Sequence, residues 1–297
     1  MTIKIPCSTS NLGPGFDTLG LALNRYLHVT AEAASSIVIT VEGNGKNHIA
    51  ANERNLVYTS MQHTAQHLGK QLPAVRLHLK NEIPACGGLG GSGAAVAGGV
   101  FLANELLNGG LSRDEMLNIA VAIEGHPDNV SAALFGGLTV NCFDAQRNVH
   151  CRSVKIEHPL FVVTCSPNFQ VHTKQARKIL PQQIPLKDAV TNIENAASLV
   201  AALMSGDMEA LRYATHDTLH EQYRATLIPG FDDVKQAALD NGALSFNISG
   251  AGPTVFAFAV TNEQRIADTM VQAFSKNGQT ATGEFMTIEN RGITILL

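Results

Sequence analysis

The clearest alternation of apolar and polar residues along the chain covers residues 75–79, where every second position is apolar. This pattern predicts a half-buried β-strand. Five glycines follow within residues 87–93, and a helix-compatible apolar run comes directly after them. We therefore expect a strand, a glycine-rich loop and a helix over residues 92–107, in that order, with the helix ended by Asn108 and the two glycines after it.

The remaining pattern predicts an α+β protein with two domains. The first half is predicted to hold strands at 1–6, 28–34, 36–41 and 138–143, and helices at 53–68 and 112–124. The second half is predicted to hold strands at 160–165, 243–248, 254–260 and 293–297, and helices at 173–181, 188–203, 207–223, 231–240 and 262–276. We place the boundary between residues 155 and 165, which gives domains of residues 1–158 and 159–297.

Composition excludes several classes of protein. The 297 residues are 45% hydrophobic and 15% charged, as in ordinary soluble domains, and the net charge of −4 offers no electrostatic case for nucleic acid. No apolar run approaches the roughly 18 residues of a membrane span, and the first residues do not resemble a signal peptide. The five cysteines show no paired spacing, so we expect reduced thiols in a cytoplasmic protein. Cys86 lies in the glycine loop, where it is either a small filler or a reactive thiol.

The glycine loop has the properties of a phosphate cradle. Glycine tolerates positive φ and has no β-carbon, so backbone N–H groups can surround an anion, and the following helix adds the positive end of its dipole. Ser92 lies at that helix start and can place its hydroxyl on a phosphate or on a phosphate-bound metal. The alternative is that the glycines only form a tight turn and allow close helix packing. The loop lacks the lysine of a Walker A motif.

Glu124 lies where the helix predicted at 112–124 ends. An acidic side chain there opposes the helix dipole, and a bound Mg²⁺ would offset this cost. Ser92 and Glu124 are therefore a candidate pair of ligands for Mg²⁺, although Glu124 is also interpretable as an ordinary surface residue. Pro127 suits the start of the next helix, which would place Asp128 and Asn129 in its first turn.

Two further segments carry charges suited to a small ligand. Asn11 and Asp17 flank a Gly-Pro-Gly turn, so the Asp17 carboxylate could pair with an ammonium group. An Asx turn with a helix cap explains these residues equally well, and from the residues alone we favour it. The planar guanidinium of Arg177 suits a carboxylate, unless it is merely solvated.

Three separated motifs together resemble the signature motifs of the GHMP small-molecule kinases. They are the segment from Pro6 to Asp17, the loop from Pro84 to Ser92, and Ser249-Gly-Ala-Gly-Pro-Thr254. Within that superfamily the chain is most similar to homoserine kinases. The segments that carry this closer resemblance are Asn11–Gly20, Glu124-Gly-His-Pro-Asp-Asn129, Thr173–Pro181 and Tyr223-Arg224 with Leu227-Ile-Pro-Gly230.

The resemblance implies a two-domain fold with a ribosomal-protein-S5-like first half, a ferredoxin-like second half and the site between them. It implies ATP-dependent phosphorylation of the L-homoserine hydroxyl, a step of threonine biosynthesis, and a possible homodimer. Ser92 and Glu124 would hold Mg²⁺. The nucleotide would contact Asn55 and the loop residues Pro84, Gly87, Gly88, Leu89, Gly90, Gly91, Ser92 and Gly93. Homoserine would be surrounded by Asn11, Asp17, His126, Asn129, Thr173, Arg177 and Arg224.

The loop departs from the usual family pattern, Gly-Leu-Gly-Ser-Ser-Ala, because Gly91 replaces a serine and Gly93 an alanine. This change is expected to affect efficiency more than reaction type. Two alternatives stay open: a related kinase for another small alcohol such as mevalonate, and a kinase-like binding protein with weakened catalysis. Asn129 stands where sister kinases have an aspartate base, so we expect it to orient the substrate hydroxyl while the proton passes to the γ-phosphate.

Overall fold

Two β-sheets and the helices packed on them form the chain. The computed structural model describes residues 1–84 and 87–296, so the interpretation of Cys86 lies outside the described residues. The strands are β1 Thr2–Ser10, β2 Leu19–Ala33, β3 Val38–Gly43, β4 Val75–Asn81, β5 Leu138–Phe143, β6 Val149–Val154, β7 Phe161–Pro167, β8 Asn247–Ile248, β9 Val255–Ala259, β10 Ala281–Thr287 and β11 Thr294–Leu296.

The helices of the second half vary more in length than those of the first. They are α1 Leu56–His67, α2 Gly91–Leu106, α3 Arg113–Glu124, α4 Asp128–Phe135, α5 Thr173–Lys178, α6 Leu186–Ser205, α7 Leu211–Ala214, α8 Glu221–Arg224, α9 Phe231–Asp240 and α10 Glu263–Lys276. The mixture of helices and largely antiparallel sheets confirms the predicted α+β class. Within the described residues, no helix combines the length and the apolar character that crossing a membrane requires.

The first sheet has seven strands and carries one side of the site. Its path is β11-β1-β2-β4-β3, and β5 pairs with β2 and with β6. The alternation of β4 is confirmed, because Val75, Leu77 and Leu79 are buried between exposed neighbours. Helix α2 packs close to α1 at Gly99, where a β-carbon would lie 2.3 Å from the carbonyl oxygen of Val57. This close contact explains Gly99, which interrupts an otherwise favourable helical sequence.

The second sheet has four strands in the order β10-β7-β9-β8, all antiparallel. Helices α9 and α10 pack together, and α10 covers β7 and β10. Strand β11 leaves this half of the chain and pairs with β1 of the first sheet. The last strand of the predicted second domain therefore belongs to the first sheet.

Several sequence-based boundaries were wrong, and the largest error is the helix predicted over 207–223. The chain there forms a 3₁₀ turn and two short helices, α7 and α8. The cause is Asp217, whose Oδ2 accepts the backbone N–H groups of Leu219, His220 and Glu221 and so begins a new helix. Strand β8 covers two residues of the six predicted at 243–248, and β6 and β10 were not predicted.

Candidate active site

A cavity of about 570 Å³ lies between the two halves, within the usual size range of small-ligand sites. One end is lined by apolar side chains from β4 and the segments beside it. The other end is charged, with side chains from both halves of the chain. Residues 87–92 of the glycine loop also line the cavity. The apolar lining includes Leu27, Ile49, Leu56, Leu79 and Ile83, and the charged lining includes Asp17, Glu124, His126, Asp128, Arg177 and Arg224.

The glycine loop is held by contacts that no larger residue permits. Gly90 has φ of 66°, and a β-carbon there would lie 2.1 Å from Oγ of Ser8. Gly88 has φ of 91°, and a β-carbon there would lie 2.6 Å from the carbonyl oxygen of Ser249. Both positions therefore require glycine for conformation and for space. Helix α2 begins at Gly91, so its first N–H groups have no partner within the helix and lie at the cavity.

The glycine-containing turn at residues 249–254 holds the glycine loop in place. The Ser249 hydroxyl donates to the carbonyl oxygen of Gly88, and the Thr254 hydroxyl donates to that of Gly87 at 2.5 Å. Residues 249–254 thus connect the paired strands β8 and β9 and also hold the loop. The Gly87 and Gly88 carbonyls are used in these bonds, and the carbonyls of Leu89 and Gly90 accept the N–H groups of Ser8 and Ala94. Over residues 87–90 the backbone groups left for a ligand are therefore N–H groups, as an anion site requires.

Ser92 and Glu124 meet as predicted from the sequence. The Ser92 hydroxyl donates to Oε2 of Glu124 at 2.8 Å. Burial raises the pKa of Glu124 above its usual value, although the bond from Ser92 and the charge of His126 lower it. Nearby groups therefore offset only part of the cost of burying the charged Glu124 carboxylate, and a bound cation would offset the rest.

Asn129 is fixed at the start of α4 by two serines of β1. Oδ1 of Asn129 accepts the Ser8 hydroxyl at 2.8 Å, and its Nδ2 donates to Oγ of Ser10 at 3.1 Å. Oδ1 of the neighbouring Asp128 accepts from Nδ1 of His126 at 2.8 Å and from the Asn129 backbone at 2.7 Å. Burial lowers the pKa of His126, but the hydrogen bond to Asp128 and the nearby negative charges raise it overall.

At the charged end, Asp17 and Arg177 form a two-pronged ion pair. Nη1 and Nη2 of Arg177 donate to Oδ2 and Oδ1 of Asp17 at 2.8 and 2.7 Å. These hydrogen bonds raise the pKa of Arg177. The backbone N–H of Asp17 donates to Oδ1 of Asn11 at 3.1 Å, and Nδ2 of Asn11 donates to the Gly250 carbonyl at 2.9 Å. The Asn11 side chain thus accepts from a residue six positions on, and strand β2 follows, so the favoured alternative of an Asx turn with a helix cap is wrong here. The pairing of Asp17 with an ammonium group stays a prediction.

Arg224 is the second cation at this end, and it is 2% exposed. It donates to the carbonyl oxygens of Gly250 at 2.8 Å and of Ala176 at 3.3 Å. Burial lowers its pKa, and the charge of Arg177 lowers it further. The guanidinium groups of Arg224 and Arg177 lie 5.0 and 5.5 Å from the ring centre of Phe16, within cation–π range. Phe16 therefore stabilises two neighbouring positive charges.

With one exception, the residues predicted for the site line this cavity. Gly93 is the exception: it is buried, and a β-carbon there would lie 2.7 Å from Cβ of Asn129. Asn55 lines the apolar end, and its side chain caps α1 by accepting from the Val57 N–H at 3.0 Å. Thr173 begins α5 at the charged end.

Sequence reasoning missed four contributors to the site: Ser8, Ser10, Phe16 and Asp128. Asp128 was placed in the first turn of α4 but given no role, although it lies between two predicted site residues. The serines of β1 carried a usable signal, because small polar residues at alternate positions of a buried strand require partners. Phe16 had no such signal.

Comparison with known proteins agrees with this geometry. The family models for the GHMP kinases N terminal domain and the GHMP kinases C terminal match residues 55–137 and 199–280. A homoserine kinase of Desulfitobacterium hafniense is 38% identical over 295 residues, covering 99% of both chains. A homoserine kinase of Moorella thermoacetica is 37% identical over 294 residues, again covering 99% of both. The chain belongs to the GHMP kinase family and, within it, to the homoserine kinases.

A solved structure supports the same assignment. The crystal structure of homoserine kinase from Cytophaga hutchinsonii superposes with a TM-score of 0.87 at 30% identity, covering 100% of this chain and 97% of the other. The two-domain GHMP kinase fold predicted from the three motifs is therefore confirmed. Within this fold the motifs bond to one another directly, through Thr9 and Ser249 at 2.8 Å and through the Ser8 N–H and the Leu89 carbonyl at 3.3 Å.

Proposed function

We propose that this GHMP kinase transfers the γ-phosphoryl group of ATP to the side-chain hydroxyl of L-homoserine, giving O-phospho-L-homoserine for threonine biosynthesis. The observation that carries the proposal is the charged end of the cavity. It places one carboxylate, Asp17, beside two guanidinium groups, those of Arg177 and Arg224. A zwitterionic amino acid matches this set, whereas mevalonate has no ammonium group for Asp17.

The nucleotide is assigned to the rest of the cavity. Its base suits the apolar end, close to Asn55, and its phosphates suit the loop of residues 87–92 with the N-terminus of α2 behind it. This arrangement would bring the γ-phosphate between the loop and the charged end. Phosphoryl transfer depends mainly on such positioning and on charge neutralisation.

Ser92 and Glu124 fit a Mg²⁺ ion. Mg²⁺ takes oxygen ligands in an octahedron at about 2.0–2.1 Å, so two adjacent ligands lie about 2.9 Å apart. The observed separation of the Ser92 and Glu124 oxygens is 2.8 Å. A single protein carboxylate suffices where phosphate oxygens and water complete the shell. When bound, the ion neutralises charge that develops on the transferring phosphoryl group.

The substrate hydroxyl must lose a proton during transfer, and Asn129 cannot accept it. Both ends of the Asn129 amide are held by serines, so this side chain is suited to orient a hydroxyl. Oδ1 of Asp128 already accepts hydrogen bonds from His126 and from two nitrogens of Asn129, so Oδ2 is the oxygen of this carboxylate that could compete for the proton, and the Asp128→Asn variant below tests it. We infer that the proton passes directly to the γ-phosphate, as expected from the sequence.

The first experiment measures ATP turnover with Mg²⁺ and a panel of L-homoserine, mevalonate, shikimate, L-serine and L-threonine. Turnover of homoserine in strong preference to the others is the expected result. Preference for another alcohol would keep the phosphate site and remove the roles of Asp17, Arg177 and Arg224. ATP binding without turnover of any substrate would favour the kinase-like binding protein.

Variants then test the mechanism. Glu124→Gln should reduce kcat at least about 100-fold, because it removes the charge that holds the ion. Asn129→Ala should reduce kcat far less if Asn129 only orients the hydroxyl. A pH profile governed by a carboxylate that Asp128→Asn abolishes would contradict direct proton transfer. The homodimer stays a prediction, which the mass of the protein in solution tests.

A further inference from the structure

The ion pair between Asp17 and Arg177 occupies the groups that the proposed function assigns to the substrate. Each terminal nitrogen of Arg177 donates to a different oxygen of Asp17, so the two groups satisfy each other in the planar geometry that a carboxylate ligand would use. The side chains are 39% and 33% exposed, so both are accessible from the cavity. They come from opposite halves of the chain, 160 residues apart.

Arg224 differs from Arg177 in how it is held. It is 2% exposed, and backbone carbonyls of Gly250 and Ala176 fix it on the β8–β9 turn and on α5. Arg177 lies on the same short helix, α5, but its side-chain hydrogen bonds go to the partly exposed carboxylate of Asp17 and not to backbone carbonyls. Arg224 is thus a fixed cation, and Arg177 is a cation whose partner can be exchanged.

The backbone of Asp17 also allows its carboxylate to exchange Arg177 for another partner. Its backbone has φ of 54°, a left-handed conformation that aspartate tolerates better than most residues, and its N–H is bonded to Asn11. The backbone therefore fixes the Cα position of Asp17, whatever the side chain of Arg177 does. A carboxylate carried on this fixed backbone stays within reach of a substrate ammonium after the arginine leaves.

Resting on the proposed function, we propose that the Asp17–Arg177 ion pair is an internal competitor of the substrate, which only a zwitterion replaces in full. The substrate ammonium takes Asp17 and the substrate carboxylate takes Arg177, so one ion pair is exchanged for two. A ligand with only one of these charges must break the pair and leaves one member without a partner. The ion pair thereby selects amino-acid alcohols over alcohols that carry a single charge.

The test uses two truncated ligands, 4-hydroxybutyrate, which lacks the ammonium, and 3-aminopropan-1-ol, which lacks the carboxylate. Dissociation constants are measured by ligand-observed NMR titration, so the readout does not depend on turnover. In Asp17→Asn, homoserine should bind at least about tenfold more weakly. In the same variant, 4-hydroxybutyrate should bind about fivefold more tightly than to the unaltered protein, the upper range for releasing a partly exposed ion pair.

Removing any negative charge from the cavity favours an anionic ligand, so a matched control is needed. Asp128→Asn removes one carboxylate from the same cavity and leaves the Asp17–Arg177 pair intact. The gain for 4-hydroxybutyrate must therefore be larger in Asp17→Asn than in Asp128→Asn. It must also disappear in Asp17→Asn/Arg177→Gln, because the gain comes from the released Arg177. Arg177→Gln alone should tighten binding of 3-aminopropan-1-ol by a similar factor.

Equal gains in Asp17→Asn and Asp128→Asn would overturn the proposal, since general electrostatics would then explain both. A gain that persists in the double variant would also overturn it, because Arg177 would not be the group released. The proposed function is tested separately by homoserine turnover of the unaltered protein. If that turnover is present while the gains are equal, the function stands and the exchange of ion pairs is wrong.

Discussion

Gly93 offers the sharpest test of the packing behind the site. The usual family loop has alanine here, yet a β-carbon at position 93 would lie 2.7 Å from Cβ of Asn129, 3.1 Å from its carbonyl carbon and 3.3 Å from the N of Val130. Ordinary contact between carbon atoms needs about 3.4 Å or more, so the start of α4 would have to move by roughly 0.7 Å. In Gly93→Ala, the higher helix propensity of alanine therefore stabilises the protein, and the crowded contact with Asn129 destabilises it.

Both effects have known magnitudes. Alanine favours the interior of a helix over glycine by ~1 kcal/mol, and overpacking of a buried contact costs ~1–3 kcal/mol. We expect Gly93→Ala to leave the free energy of unfolding unchanged at best and to lower it by up to ~2 kcal/mol. Because Asn129 is held by Ser8 and Ser10, the same movement displaces the amide that orients the hydroxyl. A displacement of 1 Å can cost about 100-fold in rate, so a kcat reduced about tenfold is expected.

Gly91→Ala is the matched control for stability. It lies two residues earlier at the start of α2, and its β-carbon would contact Cγ2 of Ile83 at a comfortable 3.9 Å. Thermal unfolding of both variants separates propensity from packing, and coupled turnover of homoserine measures kcat. The reasoning is refuted if Gly93→Ala raises the unfolding midpoint as much as Gly91→Ala does and leaves kcat unchanged.

Three further outcomes follow from the ionisable groups. Because burial raises the pKa of Glu124, affinity for Mg²⁺ in turnover assays should begin to fall on acidification at a higher pH than an ordinary glutamate would cause, and a flat response down to pH 4.5 would contradict this. Burial raises the pKa of Glu221 to about 8, so the folded state holds this proton more tightly than the unfolded state. Stability should therefore decrease as pH rises toward 8, and thermal scans from pH 5 to 9 should show a smaller decrease in Glu221→Gln. Iodoacetamide should label the exposed Cys142 in the native protein and spare the buried thiols of Cys7, Cys151 and Cys165. Burial raises the pKa of each of these three thiols to about 12, so they are not ionised at neutral pH, and equal labelling would contradict their burial.

Local chemistry was predictable from the sequence because its causes lie within a few residues. The spacing of Ser112 and Glu115 in the sequence indicates a capping box, which α3 contains, and α4 begins directly after Pro127 as expected. In these two cases residue type and spacing fix the conformation before distant contacts form. The meeting of Ser92 and Glu124, 32 residues apart, was predicted from chemistry instead, because one cation suits a hydroxyl at a helix start and a carboxylate at a helix end.

Contacts between distant segments were not predictable in the same way. The exchangeable ion pair joins residues 17 and 177, and the ring of Phe16 lies beside two arginines from the second half. Residues 207–223 have the periodicity of one helix, but Asp217 caps a new one, and its carboxylate takes three backbone N–H groups. Periodicity records which residues are apolar and not where a polar side chain will end a helix.

The hydrogen bonds between the three motifs explain why their combination carries more information than any one of them. The first motif bonds to the third through Asn11 and the carbonyl of Gly250, and the third bonds to the second through Ser249 and the carbonyl of Gly88. Each loop thus supplies partners that keep another loop's backbone in place. The altered residues, Gly91 and Gly93, lie outside these bonds, which use Gly87 and Gly88 instead. The departure from the family pattern therefore leaves the phosphate loop supported, and its effect should be sought at Asn129, against which Gly93 packs.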